Sequence, residues 1–286
     1  MHILLFIYWV SLTLIPAMIG GLVVVFIEPV AAGGGIPGII GFLNGIRVPR
    51  IIKIKVLIVR IISTSFMLLS NLPAGKEGPL IHMGVILGGS VPMIHIPFTS
   101  IRFFSLLQYD RERRDMASVG IAAGLSAAFM TPIGGLILAL EEGVTYCSAQ
   151  LTAQILLGSL ISSSSGAFFI STLLHNCFGC VLSKDLLFLA VDDSAKYLAY
   201  HIYEIPMFIL IGIIGGISGS VWNCLERQIS YFRQRFLKKK LYQLLELGFL
   251  ATLIAVFGFT MMFSLKDCRK ADLEYEKGFG KHLQTL

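Results

Sequence analysis

Charged residues are scarce in this chain and absent from long stretches of it. Asp, Glu, Lys and Arg make up 14% of the 286 residues, whereas soluble domains contain about 25%. A helix of roughly 20 apolar residues crosses a bilayer core about 30 Å thick, and most of the charge-free stretches are that long. A secretory signal peptide has one short apolar core and is excluded. The sequence therefore predicts a polytopic membrane protein, from the charge-free stretches 1–27, 29–46, 78–101, 117–140, 143–183, 205–225 and 247–265.

Cysteine is rare as well, and the side-chain combinations that mark an enzyme are missing. The 5 cysteines are too few for a disulfide framework. Cys177 and Cys180 are close in sequence, but no second Cys or His pair completes a zinc site. No nucleophile, base and orienting group occur in a recognisable pattern. We therefore expect no enzymatic activity, no bound metal and no cofactor.

The positive residues lie in three places between the apolar stretches and account for the net charge of +6. Short loops rich in Lys and Arg stay on the cytoplasmic side of a membrane. We interpret residues 47–60, 102–114 and 227–240 as connections on that side, and expect no nucleic-acid partner. This arrangement puts residues 75–79 near the opposite side. It also requires the stretch 117–140 to enter and return, with its break at Thr131 and Pro132.

A run of glycines followed by proline interrupts the second apolar stretch. With Gly38 it matches the dinucleotide-binding pattern G-x-G-x-x-G, but that pattern needs a preceding strand, and a membrane helix is predicted here. Glycines bring backbone N–H groups together, proline suits the first turn of a helix, and a helix N-terminus attracts anions. The run is either an anion-binding loop or a plain structural turn. Its residues are Gly33, Gly34, Gly35, Ile36 and Pro37.

A second break places a carboxylate at the predicted start of a helix. It consists of Gly75, Lys76, Glu77, Gly78 and Pro79. The positive end of a helix can hold a free anion or a tethered carboxylate. Glu77 is therefore either a plug that competes with a permeant anion and leaves when protonated, or a cap beside a snorkelling lysine.

Two adjacent carboxylates, Glu141 and Glu142, end the apolar stretch 117–140. Negative charge is unfavourable at a helix C-terminus, and ionisable residues at membrane depth are often proton relays. The alternative is that both mark the aqueous boundary. Adjacent helical residues point about 100° apart, so only one need face a pathway. Histidines can titrate near neutral pH, but His82 receives no functional assignment from the sequence.

Three motifs together resemble the CLC family of chloride channels and H⁺/Cl⁻ exchangers. Residues 33–38 with the following 41–45 are similar to its G-S-G-I-P loop and downstream L-N-G. Residues 75–79 are similar to its G-K/R-E-G-P motif, and residues 120–142 to its G-x-A-A-G-x-x-A-A-F…E-E stretch. Residues 26–32, 141–143 and 267–269 are most similar to the late-endosomal and lysosomal branch of the family.

The resemblance implies an all-α CLC-like transmembrane domain over residues 1–270, comprising the first inverted repeat and the start of the second. Residues 271–286 form a divergent polar tail, and the cytosolic CBS domains of eukaryotic members have no counterpart. The family's gating glutamate falls on Glu77 and its internal proton glutamate on Glu142. Chloride binding is implied for residues 33–37. The implied protein is a homodimer in an endosomal or lysosomal membrane, with chloride and protons as its substrates.

The internal proton glutamate favours H⁺/Cl⁻ antiport, because plain channels of the family usually have an apolar residue there. A passive chloride channel is the first alternative. The second is a non-transporting half-subunit that associates with full-length members, because the 286 residues contain no G-x-F-x-P loop of the second repeat. We expect a fragment or divergent member of the family. Gly34 also replaces the serine whose hydroxyl contacts chloride in the family, which bears on anion selectivity.

Overall fold

The protein folds into α-helices connected by short loops. The computed structural model describes residues 2–90, 109–144, 147–175 and 202–264, so the predicted tail 271–286 lies outside the described residues. No strand occurs in these ranges, and the all-α prediction is confirmed. The helices are α1 (His2–Ile27), α2 (Ile36–Leu43), α3 (Ile54–Leu69), α4 (Glu77–Ser90), α5 (Asp110–Phe129), α6 (Pro132–Leu138), α7 (Ala149–His175), α8 (Ile205–Phe236) and α9 (Lys240–Ser264).

The helices have very different lengths, as expected from apolar stretches broken by glycine and proline. Four segments of the described chain are long and apolar enough to cross a membrane by length and composition: Ile3–Ile27, Ala149–Leu173, Ile202–Phe236 and Lys240–Met262. By contrast α2 has 8 residues and α4 has 14. At a rise of 1.5 Å per residue they are too short to span the hydrocarbon core alone. The chain is thus a multi-pass membrane protein that also contains short helices.

Helices α4 and α5 pack antiparallel to each other at the centre of the fold, where glycines allow the two backbones to touch. A Cβ added to Gly124 would lie 3.0 Å from the carbonyl carbon of Leu80, well inside the usual carbon–carbon separation. Gly84 and Gly120 face each other in the same way. Buried side chains of α2, α4, α5 and α7 surround this contact, including Ile39, Val85, Ile121 and Ile155.

A sharp break separates α5 from α6, as the sequence predicted. Met130 ends α5 in the left-handed conformation (φ 53°) and α6 begins at Pro132. Helix α6 then runs back along α5. A Cβ added to Gly135 of α6 would lie 3.0 Å from the backbone nitrogen of Ser126 in α5. A π-helical turn, Ala139–Gly143, follows α6.

Helix α1 packs on α3 and α9, while α8 packs on almost nothing that the structure describes. Gly20 of α1 approaches the Cβ of Phe66 in α3 at 3.3 Å, measured from an added Cβ. The rings of Phe6 and Phe259 join α1 to α9 with centroids 5.1 Å apart. Every residue of α8 is exposed.

Candidate functional site

The glycine run at 33–37 forms the entry to α2 in a shape that only glycine adopts easily. Gly33 and Gly35 have φ of 69° and 80°, in the left-handed region that penalises a Cβ. Gly35 is the N-terminal cap of α2, and proline stands in its first turn. The first N–H groups of a helix have no intrahelical partner. The start of α2 therefore presents backbone donors in the absence of a capping side chain.

The second motif meets the first one directly. Helix α4 begins at Glu77, and a Cβ added to the next residue, Gly78, would lie 2.9 Å from the Cα of Gly34. That distance is shorter than ordinary carbon–carbon contact, so position 78 needs glycine for the loops to touch. The structure thus brings residues 33–37 and 75–79 together and places the starts of α2 and α4 side by side. Two positive helix ends at one point form a favourable place for an anion.

The other predicted residues of the second motif surround this junction. Pro79 is buried and Lys76 is half-buried, whereas Gly75 and Glu77 are exposed. Glu77 is thus the first residue of α4 and lies next to Gly78, which contacts the glycine loop. A carboxylate at this place interacts favourably with the start of its own helix.

A cavity of about 880 Å³ opens beside the junction. Glycines of both motifs and residues from the C-terminal part of α8 line it. Its charged lining residues are all cations, namely Arg60, Arg233 and Lys238, and no Asp or Glu of the described chain is among them. Arg233 is paired with Glu246 at 3.0 Å. A pocket lined by one sign of charge raises the local concentration of the opposite ion, so this cavity favours anions.

Two residues at the junction were missed by the sequence reasoning. Arg60 was grouped with the basic connection 47–60, but it lies inside α3 and is 1% exposed. The end of that basic stretch belongs to the helix, which begins at Ile54 and carries Arg60 inward. Its guanidinium donates from Nη1 to the carbonyl of Gly33 and lies 2.6 Å from Nδ1 of His82. His82 is completely buried.

A signal for these two residues was present in the sequence. An ionisable side chain within an apolar helix is a functional candidate by default, and Arg60 is followed by apolar and hydroxyl residues as far as Leu69. The same structure explains Gly35: a Cβ there would lie 2.6 Å from Nδ1 of His82 and 3.1 Å from Nη2 of Arg60. The loop therefore rests on the Arg60–His82 pair.

Glu141 and Glu142 lie in the π-helical turn Ala139–Gly143, and both are exposed. A Cβ added to the next residue, Gly143, would lie 2.7 Å from Cδ1 of Ile121 and 3.9 Å from Cδ1 of Leu43. Leu43 is the last residue of α2, whose 8 residues extend over about 12 Å at 1.5 Å each. The turn that carries Glu142 is thus about one short helix away from the glycine loop. Exposure alone does not distinguish Glu142 from Glu141.

Comparison with known proteins gives a consistent result. The model of the family described as "Voltage gated chloride channel" matches residues 16–277. The chain is 37% identical to H(+)/Cl(-) exchange transporter 7 of Homo sapiens over 265 residues, which is 91% of this chain and 32% of that protein. It is 34% identical to Chloride channel protein A of Dictyostelium discoideum, with 87% and 28% covered. For Chloride channel protein CLC-a of Arabidopsis thaliana the identity is 33%, with 88% and 33% covered. The chain thus spans about a third of the length of these relatives.

Proposed function

Because the chain belongs to the voltage gated chloride channel family, we propose that it takes part in chloride transport across a membrane, most specifically as an H⁺/Cl⁻ antiporter. The observation that carries the proposal is the junction of the two motifs. The starts of α2 and α4 meet where Gly78 touches Gly34, beside a cavity with an entirely cationic set of charged residues. Chloride would bind within residues 33–37, to backbone N–H groups of Gly33, Gly34, Gly35 and Ile36, because Pro37 has no N–H.

Glu77 would be the movable competitor of chloride in this scheme. It stands at the start of α4, one residue from the contact with the loop. As a carboxylate it can occupy the positive helix end in place of an anion, and on protonation it loses that attraction. Alternation of chloride and the Glu77 carboxylate at one place couples the two ions. The residues Gly75, Lys76, Gly78 and Pro79 would hold this glutamate in place.

Glu142 would deliver protons from the cytoplasmic side. Its position supports that role, since the turn that carries it lies at the far end of α2 from the glycine loop. A distance of about one short helix is compatible with a relay over a few side chains or waters, but too long for one direct transfer. Antiport is also favoured by the relative named H(+)/Cl(-) exchange transporter 7.

The test is ion flux in liposomes that contain the purified protein. With an outward chloride gradient, an antiporter takes up protons as chloride leaves, and a pH-sensitive dye in the lumen reports this. Glu142→Ala should abolish proton uptake and retain chloride efflux. Glu141→Ala is the matched control, because this neighbour lies in the same π-helical turn and its side chain points in a different direction. Glu77→Ala should retain chloride efflux and lose coupling.

Two other functions predict different results in the same experiment. A passive chloride channel shows chloride efflux and no chloride-driven proton uptake in the wild type, so Glu142→Ala changes nothing. The relatives named chloride channel proteins make this the second candidate. A non-transporting half-subunit shows neither flux and co-purifies with a complete family member. Sequencing of the transcript beyond the codon for Leu286 separates this case further, because a G-x-F-x-P loop encoded there contradicts it.

The membrane and the assembly belong to the proposal as well. The similarity of residues 26–32 to the late-endosomal and lysosomal branch favours that compartment, and the family resemblance favours a homodimer. A fluorescently tagged chain should coincide with a lysosomal marker. Cross-linking of two differently tagged copies in the same membrane should capture both tags. Surface labelling of the tagged chain at the plasma membrane would contradict the first expectation, and single-tag products alone would contradict the second.

A further inference from the structure

Arg60 is a buried cation with no acidic partner in the described part of the chain. It is 1% exposed, and no carboxylate in the described residues lies within 4.0 Å of its guanidinium; the ion pairs found there involve Lys55 with Glu28 and Arg233 with Glu246. A charge inside a membrane protein is costly unless it is paired. The position of Arg60 therefore needs an explanation beyond the stability of α3.

The two groups that contact the guanidinium are neutral. The carbonyl of Gly33 accepts from Nη1. Nε2 of His82 lies 3.0 Å from the carbonyl of Ile51, and a carbonyl can only accept, so Nε2 carries the ring proton. Nδ1 of His82 is then the acceptor for Nη2 of Arg60, 2.6 Å away. These bonds satisfy donors, but they do not neutralise the positive charge.

One N–H donor of the Arg60 guanidinium has no hydrogen-bond partner among the described residues, and Arg60 also lines the cavity. Its Nε is buried and has no hydrogen-bond partner among the described residues. Arg60 lines the cavity together with Gly33, Gly34 and Gly78. The paired cation Arg233 is compensated by Glu246, whereas Arg60 is not. The end of the cavity at the glycine loop therefore carries an uncompensated positive charge.

We propose that Arg60 is a positioning residue for the anion site, which fixes the direction of the Gly33–Gly34 peptide and whose uncompensated charge draws a small monovalent anion to the loop. The inference rests on the proposed function. The carbonyl of Gly33 and the N–H of Gly34 belong to one planar peptide, and no peptide bond in the described residues is cis. When Arg60 fixes the direction of the Gly33 carbonyl, it therefore also fixes the direction of the Gly34 N–H, which would face the anion.

The test measures chloride binding through its effect on thermal unfolding of the purified protein in detergent. A ligand that binds only the folded state raises Tm, so the wild type should melt higher in sodium chloride than in sodium gluconate. Arg60→Met should lower the apparent chloride affinity by about tenfold or more, because the substitution removes a buried positive charge that attracts the chloride ion. Lys55→Met is the matched control. It removes the same formal charge from the same helix, but this side chain is 62% exposed, and the affinity should stay within about twofold.

A lysine substitution separates the charge from the geometry. Arg60→Lys retains the cation but lacks the planar fork that contacts Gly33 and His82 together. We expect it to rescue most of the chloride affinity, to within about threefold, and to discriminate less between chloride and nitrate. His82→Leu should reproduce the loss of discrimination, since it keeps the charge and removes the acceptor that orients it. If Arg60→Met does not fold, Arg60→Lys and His82→Leu still test the proposed role of Arg60.

The possible failures are distinguishable. If the wild type shows no difference between chloride and gluconate, the proposed function itself is contradicted at this site, and the inference falls with it. If the wild type responds and Arg60→Met keeps the full response while its Tm in gluconate falls, Arg60 is only structural and the inference alone is overturned. Equal loss of affinity in Lys55→Met would also overturn it, because the effect would then be one of net charge.

Discussion

The α4–α5 pair and α8 carry glycines at similar spacing, yet the structure uses them in opposite ways. In the pair, an added Cβ on Gly120 would lie 3.2 Å from the backbone nitrogen of Val85, and the facing backbone of Gly84 is nearer still. In α8, an added Cβ on Gly212 or Gly216 would meet no atom of the described residues within 4 Å. Glycine spacing thus indicates that two helices can approach closely, but the partner decides whether they do.

The difference follows from what each region has to contact. Helices α4 and α5 lie in the buried centre, with Val85, Ile121 and Leu125 around them. Side chains larger than hydrogen at the contact would push the two backbones apart and open gaps between these residues. In α8 the apolar residues are exposed along the entire helix, and within a bilayer, lipid tails or another helix satisfy such a surface equally well.

The largest effect is expected for Gly120→Ala in α5. The new methyl group would lie 2.7 Å from the carbonyl carbon of Gly84 and against its oxygen, where only backbone can move. Overpacking of this kind destabilises by about 1–3 kcal/mol, occasionally more. Unfolding in mixed detergent and SDS micelles, followed by circular dichroism, measures the change. A variant as stable as the wild type would show that α4 and α5 are farther apart than in this structure.

The next effect concerns the junction of the two motifs, where the same kind of contact serves a proposed binding site. In Gly78→Ala the methyl group would lie 2.9 Å from the Cα of Gly34, so the loop must shift. We expect the chloride-dependent rise in Tm to be lost, with an affinity reduced by about tenfold, since a displacement of an ångström is enough to spoil a preorganised site.

Gly75→Ala is the matched control for Gly78→Ala. It belongs to the same motif, but within the part of the chain that the structure describes an added Cβ there has no neighbour within 4 Å. Chloride affinity should therefore stay at the wild-type value. If both substitutions lower it equally, the motif as a whole is sensitive, and the close contact of Gly78 with Gly34 is not the cause.

The sequence predicted most of the fold, because charge-free stretches and Gly/Pro breaks are local signals. The break between α5 and α6 at Thr131 and Pro132 and the helix start at Glu77 both lie where the sequence put them. The glycines in α8 have a spacing that favours close helix packing, but no described residue lies within 4 Å of a Cβ added to them. A helix partner lies far away in sequence, and spacing on one helix contains no information about it.

The site was predicted in part, for a related reason. The residues of each motif are adjacent in sequence, but the bonds of Arg60 link it to Gly33 and His82, 27 and 22 residues away. Only the tertiary structure reveals such a network. From the sequence, Arg60 received no role of its own, because a cation near Lys53 and Lys55 resembles a topogenic cluster. The structure separates them, since Lys53 and Lys55 are exposed and Arg60 is buried.

A smaller effect is expected where a glycine is not required. Gly34 lacks the positive φ of its two neighbours, and an added Cβ would lie 3.8 Å from the Cα of Gly78, which is ordinary contact. Gly34→Ser should therefore fold as well as the wild type. One added hydroxyl donor contributes about 0.5–1.5 kcal/mol, so chloride affinity should rise by about twofold to thirteenfold. Gly33→Ser is the control, because its φ of 69° makes a side chain unfavourable and its Tm should fall. Unchanged affinity in Gly34→Ser would mean that this position does not face the anion.

The smallest effect, and the sharpest test of the comparison, is expected for Gly216→Ala in α8. The methyl group meets none of the residues that the structure describes, and alanine is the better helix residue by about 0.5–1 kcal/mol. The substitution should therefore leave stability unchanged or raise it by up to that amount, opposite in sign to Gly120→Ala. The two proteins should be measured side by side in detergent and in lipid nanodiscs. If the free energy of unfolding falls by more than about 1 kcal/mol in nanodiscs but not in detergent, a second helix covers this face of α8 in the bilayer. Small residues permit such close helix contacts.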